Sequence, residues 1–188
     1  RGLAQPQDVQ LAADVAAARR LLSSIDGCSL AGIPSLKQLL SDYENRPELP
    51  LRLLAAEARY RAGNALWFRG HASKAARWLE SVSRLYGKEP DIQFRRIVAR
   101  SHLLLGLMGR NNERKERHLQ RVLWAYRNTD DVELLQTYAT SMSVLAGIRE
   151  ASGRSEEADR LARQARELYR ERIIPRLPPP DPNPTICV

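Results

Sequence analysis

Apolar residues recur at three- and four-residue steps along nearly the whole chain, a period that favours the α-helix over any other element. Leu11, Val15, Ala18, Leu22 and Ile25 set the pattern and predict a helix over residues 8–24. A loop over 27–34 follows, carrying Gly27, Gly32 and Pro34. Ser35 reads as the N-cap of a short helix whose apolar stripe is Leu36, Leu39, Leu40 and Tyr43. Pro47 and Pro50 mark the next boundary. Longer helical stretches are then expected over 51–69, 73–86, 91–108, 113–127, 131–151 and 155–174, separated by Gly70, Gly87, Gly109, the polar turn 128–130 and Gly153. Pro175 closes the last of them. No stretch alternates apolar and polar residues as a half-buried strand does, so the predicted fold class is all-α.

Two of the turns repeat one another. Residues 62–75 and 145–158 each run from a helix end through a glycine turn to a polar helix start, and reach an alanine five residues after the glycine (Gly70 to Ala75, Gly153 to Ala158). Leu79 and Val82 follow in one case and Ala162 and Ala165 in the other, at steps that keep them on one helix face. This pattern resembles the tetratricopeptide repeat family, in which a small residue late in helix A admits an alanine of helix B. Gly63 and Ala75 match those positions, as do Ala146 and Ala158. Gly106 fits the small position of a middle repeat, but there the alanine is replaced by Leu119 and the turn over 109–112 is longer. The spacings Gly63 to Gly106 and Gly106 to Ala146 both exceed the family's usual length, so the repeats are long and divergent. The resemblance covers residues 51–174 and implies a right-handed superhelical solenoid of helix-turn-helix repeats. An irregular helical bundle with coinciding glycine turns is the alternative, and it too is all-α. The expected organisation is an N-terminal helical hairpin over 1–46, a cap or degenerate repeat, then the repeats over 47–174 and a tail over 175–188.

The resemblance also implies function: a non-catalytic scaffold or adaptor that holds a segment of another protein. Helix A of each repeat lines the concave face in that family, which makes Tyr60, Asn64 and Trp67 groove candidates. Some members clamp a peptide's terminal carboxylate with Lys and Asn on successive repeats. Asn64 suits such a clamp, but Leu107, Ser143 and Gly147 at the corresponding later positions do not.

Charge gives the second clue. The chain carries 30 Lys and Arg against 22 Asp and Glu, a net charge of +8. Much of the excess falls in residues 91–127, where Arg95, Arg96, Arg100, Arg110, Arg114, Lys115, Arg117, Arg121 and Arg127 face only Asp91, Glu113 and Glu116. Arg96 and Arg100 share a helix face, and Arg110, Arg114, Arg117 and Arg121 form a second stripe. Such stripes fit an acidic or amphipathic protein segment. Nucleic acid is the alternative partner, ranked lower because aromatic residues make up 6% of the chain and no base-reading motif is present.

Residues 176–188 contain Pro178, Pro179, Pro180, Pro182 and Pro184, which predict an extended polyproline II tail. Arg176, Pro179 and Pro182 fit the Arg-x-x-Pro-x-x-Pro form that SH3 domains bind, and Ile186 and Val188 alternate as in a PDZ ligand. His71, His102 and His118 are widely separated in sequence and lack carboxylates at ligand spacing, so no metal, cofactor or catalytic group is expected. The two cysteines, Cys28 and Cys187, fit reduced thiols of a cytoplasmic or nuclear protein. No apolar run is long enough for membrane insertion. An opening Arg1-Gly2-Leu3 without a signal-peptide pattern or initiator Met is expected of a trimmed fragment.

Overall fold

A computed structural model of the chain describes residues 6–23, 32–109 and 111–178. Over these residues the fold is all-α, without strands. The helices are α1 (Pro6–Ser23), α2 (Ile33–Tyr43), α3 (Leu49–Phe68), α4 (Ala72–Tyr86), α5 (Ile92–Met108), α6 (Asn112–Tyr126), α7 (Val132–Ala151) and α8 (Ser155–Leu168).

The helix starts show what the prolines do. Pro34 lies in the first turn of α2 and Pro50 in the first turn of α3. A first-turn amide has no partner within the helix, so proline gives up nothing there and its fixed φ suits the start. Gly32 therefore stands at the cap of α2, and Ser35, expected as the N-cap, sits inside the helix. Side chains cap three later helices: Asp91 accepts from the Gln93 amide, Asn111 from Arg114 and Asp131 from Leu134.

The turns read as repeats have matching geometry. Gly70 and Gly153 adopt φ of +77° and +74°. In each turn the next amide reaches back five residues, His71 to the Leu66 carbonyl and Arg154 to that of Arg149. This is a left-handed helix stop that only glycine takes without strain. Gly109 does not share it (φ −54°, ψ 141°), in keeping with the different turn before α6.

Consecutive helices pack as antiparallel neighbours, and the odd-numbered ones also pack on each other: α1 on α3, α3 on α5, α5 on α7. Buried leucines and alanines of α1, α2 and α3 form one core, with Trp78 of α4 against its edge. A second core joins Leu119 of α6 to Met142, Leu145 and Ala146 of α7 and to Ala158, Leu161 and Ala165 of α8. Gly63 and Gly106 sit where helices approach closest. A Cβ on Gly63 would lie 2.6 Å from Leu79 Cγ, and one on Gly106 would lie 2.7 Å from Leu119 Cγ. The Leu79 side chain and the Ala75 carbonyl are the nearest groups beside Gly63.

The last helix also ends differently from expectation. After Leu168 the chain widens into a turn over Tyr169–Ile173, in which the Ile174 amide donates to the Tyr169 carbonyl, and then tightens over Ile174–Arg176. Arg176, expected in the extended tail, lies in that tight turn and donates to the Asp130 carbonyl. Extended backbone begins at Leu177. Arg110 and tail residues Pro179, Pro182, Ile186 and Val188 lie outside the described residues, as do Cys28 and Cys187.

Candidate functional site

The arginines counted together in residues 91–127 separate onto different surfaces. Arg96 and Arg100, on α5, face the start of α7. Arg96 Nε donates to Asp131 Oδ1 at 3.0 Å and its Nη1 to Glu133 Oε1 at 3.0 Å, while Arg100 Nη2 donates to Glu133 Oε2 at 2.7 Å. Arg96 beside it holds the Asp131 carboxyl below its ordinary range, and the Arg96 guanidinium is raised in turn. The pair is largely shielded, with side-chain exposures of 22% and 15%. Arg100 also lies over the Tyr60 ring, 5.9 Å from its centroid. These two cations are matched inside the chain.

Of the other concave-face candidates, Tyr60 is half-buried and packs against both Phe94 and Leu79 neighbourhoods. Trp67 packs on Leu79, Leu104 and Leu105 and leans on Phe68, with ring centroids 5.3 Å apart. Asn64 is half-buried beside them on α3. Arg95 lies over the Tyr126 ring and accepts from the Tyr126 hydroxyl through its carbonyl.

The remaining arginine stripe faces elsewhere. Helices α4 and α6 meet chiefly through α5, which packs on both. The separation leaves a groove along the outer side of α5. Its middle is a cleft of about 370 Å³ lined by Arg84 and Glu80 of α4, His102 of α5, and Arg114, Arg117, His118 and Arg121 of α6. One end opens toward Arg77 and Met108, the other toward Lys88 and Trp124, in adjoining spaces that share these residues. Arg117 pairs with Glu113 at 2.7 Å. Arg84, Arg114 and Arg121 have no ion pair among the described residues. Trp124 is 74% exposed at the groove's end, with the Arg127 guanidinium over its ring. An exposed tryptophan beside unpaired cations is the combination that interfaces favour.

The floor of the cleft is polar. Ser83 Oγ lies 3.2 Å from His102 Nε2, and His102 Nδ1 lies 3.2 Å from His118 Nδ1. Burial, then His118 and Arg121, lowers the His102 pKa to about 4. His118 is lowered as well, by burial and then by Arg121, Arg114 and Arg117. The serine–histidine contact has the outline of a nucleophile and base, but two features count against that use. An imidazole that ionises near pH 4 is a weak base at neutral pH. Ser83 lies within α4, where backbone amides donate to the helix's own carbonyls, so none is left to stabilise an oxyanion. Among the described residues no three His, Cys, Asp or Glu side chains gather as a metal site.

Sequence reasoning had found the Arg114–Arg117–Arg121 stripe but not Arg84, Trp124 or the contact between His102 and His118. The histidines lie one on α5 and one on α6, and only the packing of that hairpin joins them. Residues 84 and 124 carried the plain helical pattern of their segments, without a motif.

Fold and site together define a helical-hairpin protein with a basic external groove. No protein-family model, curated protein or solved structure matches the chain.

Proposed function

We propose that this chain is a non-catalytic protein-interaction scaffold, a tetratricopeptide-like solenoid that holds an acidic or amphipathic segment of a partner protein. The observation that carries the reading is the groove between α4 and α6, where Arg84, Arg114 and Arg121 line a continuous cleft and form no ion pair among the described residues. Unmatched guanidinium groups on a rigid helical wall are suited to carboxylates and other planar or tetrahedral anions. Trp124 gives the segment an apolar anchor at one end. Equivalent glycine stops at Gly70 and Gly153 and close contacts at Gly63 and Gly106 support the repeat reading. Among the described residues no helix is long and apolar enough to cross a membrane, and the partner proposed is therefore a protein segment rather than a bilayer interior.

The test uses a fluorescein-labelled oligo-glutamate peptide and anisotropy at low salt. Binding is expected to weaken at least tenfold in an Arg114→Gln/Arg121→Gln double variant, with helicity by circular dichroism unchanged. A Tyr60→Phe/Asn64→Ala variant on the odd-helix face should bind as the parent does. Peptide binding indifferent to Arg114 and Arg121 would refute the groove as the docking surface. A second reading, association with nucleic acid, draws on Trp124, since bases stack on exposed aromatics beside cationic grooves. Tighter, steeply salt-dependent binding to unrelated oligonucleotides than to oligo-glutamate would favour it.

A further inference from the structure

The three side chains on the groove floor form a hydrogen-bond relay with a direction. Both histidines direct Nδ1 at one another across 3.2 Å, so one ring must donate and the other accept. Two protonated rings would oppose each other there. With one positive charge on the floor, either ring can carry both protons, and burial decides between them. His118 then carries both ring protons and donates through Nδ1 to a neutral His102, whose own proton sits on Nε2 and is donated to Ser83 Oγ. His102 is the ring suited to stay neutral, because it is buried and its pKa lies at about 4. His118 Nε2 has no partner among the described residues, and His118 lines the cleft. A protonated His118 therefore offers the groove a donor beside the unpaired arginines.

The charged and titratable groups that line the groove with His118 are Arg77, Glu80 and Arg84 on α4, His102 on α5, and Arg114, Arg117 and Arg121 on α6. Arginine repulsion works against its protonation in the empty groove. An anion seated among those arginines removes the repulsion and adds attraction, so binding and proton uptake favour each other. The lining also sets the charge of the ligand. With Arg117 tied to Glu113, three arginines face the lone carboxylate of Glu80. A single carboxylate leaves them under-neutralised. A phosphoryl group, with about two negative charges and three acceptor oxygens, meets guanidinium groups arriving from both walls.

We propose that the middle of the groove is a phosphoryl site, which receives a phosphorylated serine or threonine on the partner's acidic segment. The phosphoryl group is held by Arg84, Arg114 and Arg121 together with a protonated His118, and His102 is the acceptor behind that ring. The proposal rests on the docking surface proposed above and adds to it a charge state and a proton. Affinity for an anion of fixed charge then rises as pH falls through the His118 pKa of the complex.

Sulfate is the first probe, because it stays a tetrahedral dianion across the range where phosphate changes charge. Imidazole resonances of the full chain are titrated by NMR in sulfate and in chloride at matched ionic strength. In sulfate the His118 pKa is expected to rise by about one unit, which corresponds to roughly tenfold tighter sulfate binding to the protonated form. The rise should vanish in Arg114→Gln/Arg121→Gln, and His118→Gln should bind sulfate with no dependence on pH. Equal shifts in chloride and sulfate, or a shift that survives the double arginine change, would overturn the site. A phosphoserine placed centrally in the oligo-glutamate peptide should tighten its binding at least tenfold over the unphosphorylated peptide. If the peptides bind equally through Arg114 and Arg121, the phosphoryl site fails while the docking surface stands. If neither peptide binds, both fail.

Discussion

Glycine-to-alanine substitution should stabilise at one helix position and fail to stabilise at two others, and the contrast tests the packing directly. Alanine in a helix interior is favoured over glycine by about 1 kcal/mol. Gly147 of α7 is exposed, with nothing within 4 Å of an added Cβ. Gly147→Ala should therefore stabilise the chain by about 0.5 to 1 kcal/mol. Gly63 and Gly106 have the same propensity to gain, but their added carbon meets Leu79 at 2.6 and 2.8 Å and Leu119 at 2.7 Å. Both leucines are fully buried, and the atoms struck include Cγ, which moves only if the whole side chain changes rotamer. Overpacking of this kind costs about 1 to 3 kcal/mol. Set against the propensity gain, Gly63→Ala and Gly106→Ala should be neutral to about 2 kcal/mol destabilising. Urea unfolding followed by circular dichroism gives all three values. Leu79→Ala provides the internal check. In its background Gly63→Ala should recover its propensity gain, so the double-mutant cycle shows a coupling of about 1 kcal/mol or more. If Gly63→Ala and Gly106→Ala stabilise as much as Gly147→Ala, the close helix approach at those glycines is wrong.

Acid should weaken the fold before most carboxylates titrate. His102 has a folded pKa of about 4 against about 6.5 unfolded, so the unfolded chain binds the extra proton and stability falls as pH drops from 6.5 toward 4. The expected loss is about 2 kcal/mol by pH 5, with His118 adding in the same direction, and urea titrations at pH 7.5, 6 and 5 measure it. An equal slope in His102→Gln would assign the loss elsewhere. Asp131→Ala removes both the cap of α7 and the partner of Arg96, and should cost about 1 to 2 kcal/mol in the same unfolding assay. A change within 0.5 kcal/mol would show that the bridge between α5 and α7 carries no net stability.

Much of the fold was legible in the sequence, because what fixes it is local. Three- and four-residue spacing determines which side of a helix is apolar, and Gly70 and Gly153 end helices through their own backbone freedom. The misread starts at Ser35 and Pro50 share one cause. Proline breaks a helix interior but is welcome in a first turn, and nothing local says which applies. The site was harder to read because it depends on which side chains meet across helices. Counting charge over residues 91–127 merged two populations that packing separates. The carboxylates matching Arg96 and Arg100, Asp131 and Glu133, lie just past the counted window at the start of α7. The arginines without such partners, Arg114 and Arg121, face α4, whose nearest acidic side chain on the groove is Glu80. Local excess charge thus overstates one face and misses Arg84 on the opposite wall of the other. A cation is available to a partner only where the neighbouring helix leaves it unmatched. That condition moves the candidate surface from the face where α5 meets α7 to the groove between α4 and α6, where the two histidines invisible to spacing arguments also meet.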